Sequence, residues 1–116
     1  MATAAQMRKL ALALPEVEEK SHFGKPDFRV KNKIFAGLSA DGKQATLKLR
    51  SKVQSPLVHG RPETFSFAPG AWGRSGWTYI ELARIEREEL RTLALEAWRL
   101  TAPKSMVLAF EGRAKR

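Results

Sequence analysis

With 116 residues, the chain has room for one compact domain and is too short for two. A hydrophobic content of 43% supplies a single core, and 21 Lys and Arg against 12 Asp and Glu leave +9, a balance suited to polyanionic partners. The absence of cysteine excludes disulfides, thiolate zinc sites, iron–sulfur clusters and cysteine nucleophiles.

Thr3 is placed to cap a helix, and Met7, Leu10, Ala11 and Leu14 recur at helical spacing, which predicts a helix over Ala4–Leu14 ended by Pro15. "VEEKSHF" has weak strand character. "DFRV" and "KIFAGL" are short β-type runs around a tight turn at Lys31–Asn32, because Asn tolerates positive φ. Asp41–Gly42 is the strongest hairpin signal, and "QATLKLR" alternates Ala45, Leu47 and Leu49 against Thr46, Lys48 and Arg50. An antiparallel meander with one buried face follows.

The stretch "SKVQSPLVHGRPETF" contains Pro56, Gly60 and Pro62, which predicts irregular chain with room for one short helical turn and a brief strand at "ETFSF". "APGAWGRSG" reads as a loop and "WTYIEL" as a strand. "REELRTLALEAWRLT" is the clearest helix, near Glu86–Leu100, with Leu90, Leu93, Ala94, Ala97 and Thr101 on one side and Pro103 as its stop. "SMVLAF" reads as a last strand or turn, and the basic tail, residues 112–116, is expected to fray. The order predicts one α+β domain, an antiparallel sheet with two main helices packed on one face.

The charge is uneven. Residues 1–19 sum to −1, 20–52 to +7 and 53–116 to +3. With Phe28 and Val30 inward, Arg29 faces outward; with Leu47 and Leu49 inward, Lys48 and Arg50 do the same. Lys31 and Lys33 then sit at a hairpin tip, with Lys25 and Lys52 as auxiliaries. Such a spread suits a phosphate backbone, and it equally suits a solvated sheet face whose lysines discourage edge pairing. Trp72, beside Arg74 in the Gly-flanked loop, and Trp77 are candidates for stacking a base; packing over the sheet edge is the alternative. Trp98 reads as core. His22 and His59 have no nucleophile or carboxylate placed to make a catalytic set, so a non-enzymatic protein is expected.

The run "LALPEVEEKSHFGKPDFRVKNKIFAGL", then "LKL", "GWTYIEL" and a helix ending in "APK", resembles the MmcQ/YjbR family of small bacterial proteins, over nearly the whole chain. The resemblance implies a CyaY/frataxin-like sandwich and DNA binding through a double-wing arrangement. Frataxins bind iron through an acidic ridge on and after the first helix. Here no acid occurs from Met1 to Leu14, and only Glu16, Glu18 and Glu19 follow, so neither metal nor cofactor is expected. The expected partner is nucleic acid, with DNA preferred over RNA through the resemblance alone. An acidic protein or small anion on the same basic face is the alternative, and an enzyme with an unrecognised pocket a distant third. The N-terminus lacks a signal-peptide pattern, and a cytoplasmic monomer is expected.

Overall fold

Thr3 begins the first helix with a reciprocal capping box. Its Oγ1 accepts from the Gln6 backbone N–H at 3.2 Å, and Gln6 Oε1 accepts from the Thr3 N–H at 3.1 Å. In this computed structural model, which describes residues 1–114, α1 runs over Ala4–Leu12 and stops short of the expected Leu14. Pro15 disfavours helical backbone at the residue before it. Met7 and Ala11 are fully buried on its inner face.

Four strands follow as a meander: β1 (Val17–His22), β2 (Lys25–Val30), β3 (Lys33–Leu38) and β4 (Gln44–Lys48). Two of the turns have two residues with positive φ, the backbone that matches strand twist. One is the expected Lys31–Asn32, and the other is Phe23–Gly24. Between β2 and β3 the register shifts after Phe28, so Phe35 and Ala36 are both buried. At the third turn, Asp41 Oδ1 accepts from Ser39 Oγ at 2.7 Å and from the Lys43 N–H at 3.0 Å.

The middle of the chain is more regular than the sequence suggested. A full helix, α2 (Ser51–Gly60), contains Pro56. The proline removes a hydrogen bond to the Lys52 carbonyl, and both residues lie on the exposed side, where water can satisfy that oxygen. The strand β5 (Phe65–Phe67), a short helix α3 (Ala71–Arg74) and β6 (Trp77–Glu81) come next. All neighbouring strands are antiparallel, in the order β1-β2-β3-β4-β6-β5.

The helix α4 (Arg87–Thr101) buries Leu90, Leu93, Ala94, Ala97 and Trp98. With Met7 and Ala11 of α1 they meet Phe28, Leu38, Leu47 and Ile80 of the sheet in one core. Both main helices therefore cover the same sheet face, giving the expected α+β sandwich. The end of the chain corrects the sequence reading: "SMVLAF" belongs to a helix, α5 (Lys104–Ala114), which includes the first part of the tail expected to fray. Phe110 packs on Trp98 at 5.3 Å between ring centroids, and this contact holds α5 against α4. Lys115 and Arg116 lie outside the described residues. Among the described residues, no helix is long and apolar enough to cross a membrane.

Candidate nucleic-acid interface

Strand alternation and register decide where each expected cation points. Phe28 and Val30 enter the core, so Lys25, Asp27 and Arg29 lie on the open face. Arg29 is opposite Glu18, Asp27 opposite Lys20 and Lys25 opposite His22 on β1. Arg29 Nε donates to Asp27 Oδ1 at 2.8 Å and its Nη2 to Oδ2 at 3.2 Å. The hydrogen bond to that carboxylate raises the guanidinium pKa above its ordinary value. Arg29 must leave this two-pronged pair to take a phosphate. At the hairpin tip, Lys31 Nζ donates to Glu16 Oε1 at 2.9 Å in an exposed pair. Lys33 pairs with Val30 and so projects from the other side of the sheet than Arg29.

Lys48 is on the open face opposite Trp77, its Nζ 6.0 Å from the ring centroid. Arg50 corrects the expected alternation. The strand ends at Lys48, Arg50 is the residue that begins α2, and Lys52 is in the helix's first turn. The expected residues thus form no single basic sheet. Glu18, Asp27 and Glu81 intersperse with Lys20, Lys25, Arg29 and Lys48 on the open face. A second group, Lys48, Arg50 and Lys52, gathers where β4 turns into α2.

Two glycines permit the packing at that corner. Leu49 N–H donates to Gly76 O at 2.9 Å, and a Cβ at Gly76 (φ +112°) would come within 2.3 Å of Leu49 O. A Cβ at Gly73 would come within 2.2 Å of Ala68 O. Gln54, only 4% exposed, ties the pieces together: its Nε2 donates to Gly73 O, Trp77 O and Thr78 Oγ1 at 3.1, 3.2 and 3.0 Å. Arg74 of α3 is thereby held across from the start of α2.

Among the described residues, Lys48, Arg50, Lys52 and Arg74 have no carboxylate within ion-pair distance. Trp72, expected to pack over the sheet edge if it did not stack a base, is 67% exposed, and Phe67 is 42% exposed. Trp77 is partly covered. A cavity of about 600 Å³ separates α2 from the β5–α3 segment, with Ser51, Gln54, Ser55, Phe67 and Arg74 on its walls. The sequence reading did not place Arg74, Phe67 or Gln54 in a site. One signal pointed there: from Lys43 to Ile80 there are six Lys and Arg and one acid, Glu63.

The glutamates after α1 serve as ion-pair partners, Glu16 with Lys31 and Glu19 with Arg8. Among the described residues, no three of His, Asp and Glu stand together as a metal-holding group.

The family model YjbR matches residues 12–100. The chain belongs to the YjbR family. The matched span of this YjbR chain includes the whole sheet, α2, α3 and nearly all of α4, and stops before α5. Among curated proteins nothing matches it. The crystal structure of Deinococcus radiodurans protein DR2400, with family-model domain DUF419, is similar at 23% identity and a TM-score of 0.74. The likeness covers 86% of the YjbR chain and 78% of that protein. At this identity it shows the shared fold.

Proposed function

We propose that this protein is a non-enzymatic, nucleic-acid-associated domain, a monomer of the bacterial cytoplasm. It grips phosphates at the corner where β4 meets α2 and α3. The carrying observation is the grouping of Lys48, Arg50, Lys52 and Arg74, unpaired with acids, around exposed Trp72 and Phe67 and half-covered Trp77. Cations that track a backbone, with aromatic faces between them, are what a nucleic-acid strand engages. Lys25 is exposed on the open sheet face and extends the footprint there, whereas Arg29 is held by Asp27. DNA is preferred over RNA because of the family resemblance, not because of any contact. A small anion or an acidic protein is the second reading. It is favoured by the start of α2, which has no side-chain cap and lies between Arg50 and Lys52.

The test is direct binding to labelled single-stranded and duplex DNA, with heparin and an acidic peptide measured in parallel, across a salt series. Nucleic acid should bind, with log K falling linearly against log salt. Binding of the acidic peptide, with neither form of DNA bound at low salt, would overturn the proposal.

A further inference from the structure

The cavity between α2 and α3 has a polarity that phosphate gripping does not use. Its mouth carries Arg74 and adjoins Arg50 and Lys52, yet its inner wall presents an acceptor. The Gln54 amide orientation is fixed by chemistry, since Gly73 O and Trp77 O can only accept and must face the NH₂ group. Among the described residues no hydrogen bond reaches Gln54 Oε1, and that oxygen is not among the atoms sealed from solvent without a partner. It therefore opens to the cavity that Gln54 lines. A buried side chain with one free acceptor seeks an N–H donor. Phe67 adds a flat apolar wall, with the His59 ring edge-on to it at 6.0 Å. Ser51 and Ser55 add hydroxyls that can donate or accept. The volume lies within the range of about 300–1,000 Å³ typical of small-molecule sites.

A ligand matching this wall is negative outside, flat in the middle and a hydrogen-bond donor at its inner edge. We infer that the cavity receives an unpaired nucleobase by its Watson–Crick edge, with the attached phosphate held by Arg74 and the cations at the start of α2. Every base carries an N–H on that edge. In a duplex the edge is already occupied, so the cavity selects unpaired nucleotides, either within a single strand or free. The inference rests on the nucleic-acid reading above and names the form of nucleic acid that the corner takes.

Two variants test it. Ser55→Phe fills the cavity from α2 without altering a charge, and Phe67→Ala removes the stacking wall at a partly exposed position. Binding is followed by fluorescence anisotropy on single-stranded and duplex DNA at one salt concentration, with circular dichroism confirming the fold of each variant. Stacking of one base is worth about 1–3 kcal/mol, so the native protein should prefer the single strand by about tenfold or more. Either folded variant should bring that ratio close to one while leaving duplex affinity within about twofold. Equal affinity of the native protein for both forms, or a preference that survives both variants, would overturn the cavity's role and leave phosphate gripping standing. Binding to neither form would overturn both. A free mononucleotide bound in a Ser55→Phe-sensitive manner, with no strand bound, would keep the cavity's ligand and refute the strand reading. An acidic peptide displacing the single strand with Ser55→Phe-sensitive affinity would assign the cavity to protein and refute the inference.

Discussion

Changing Arg50, Lys52 and Arg74 together to Gln removes three of the four unpaired cations at the α2 corner and leaves Lys48. All three side chains are exposed, so the melting temperature should move little. If each cation neutralises one phosphate, the slope of log K against log salt on duplex DNA changes from about −3.6 to about −0.9, using about 0.9 per contact. For curves that converge at 1 M salt, this slope change makes binding at ~0.1 M roughly 500-fold weaker. The assay is anisotropy of a labelled duplex over a salt series, with several unrelated sequences, because phosphate contacts position without specifying. The contrasting variant is Arg29→Gln, which removes a cation already bound in a two-pronged pair to Asp27. Its slope should match the native one on protein shown to be folded by circular dichroism, since Asp27 loses its partner. A triple variant that keeps the native slope, or an Arg29→Gln variant that loses more of it, would refute the placement of the interface at the α2 corner.

Three further outcomes follow from backbone and ionisation. Gly76→Ala should lose about 1–3 kcal/mol or more in urea unfolding, because the site combines positive φ with a 2.3 Å approach to Leu49 O; an unchanged midpoint would contradict that packing. Phe23→Asn should stabilise the fold by about 1 kcal/mol, since Phe23 is 90% exposed at φ +51°, where Asn is better tolerated; a lower midpoint would show that the ring supports the hairpin. Hydrogen bonds from Ser39 and Lys43 hold the Asp41 carboxyl below its usual pKa. A depressed folded pKa contributes stability above the unfolded value and loses it as pH falls through the folded one. The stability gap between the native chain and Asp41→Asn should therefore be present at neutral pH and close in acid, as read from urea midpoints over a pH series. A pH-independent gap would remove the carboxylate's charge from the explanation.

The elements with one-sided apolar patterns were legible in the sequence. The stripe of α4, the alternation in β4 and the capping residue of α1 each have a local cause, and each element formed close to where it was expected. The misses share a different cause. Pro56 argued locally against a helix, but its lost hydrogen bond falls on the solvent side of α2, where the loss is small. "SMVLAF" is a short apolar run, which helix and strand accommodate equally; packing of Phe110 on Trp98 decides for helix. For the candidate site, alternation placed Lys25, Arg29 and Lys48 outward, as found. It could not show that Asp27, two residues from Arg29 on the same face, holds that side chain. Extending the alternation to Arg50 failed because β4 ends two residues earlier. Gln54 was invisible because its importance lies in three acceptors that approach it from residues 73, 77 and 78.

The strand order has a consequence for how the molecule assembles. β1 through β4 pair with sequence neighbours and need only short loops to close, whereas β6 reaches β4 after the long passage through α2, β5 and α3. Closing that larger loop costs more chain entropy, so its pairing belongs late in folding. The corner bearing Lys48, Arg50, Lys52 and Arg74 exists only once β6 has docked. Amide hydrogens of α2 and α3 should accordingly exchange through partial openings that leave the first four strands intact. A bound strand would then leave by loosening one half of the fold, on a timescale set by that half's own stability and not by global unfolding.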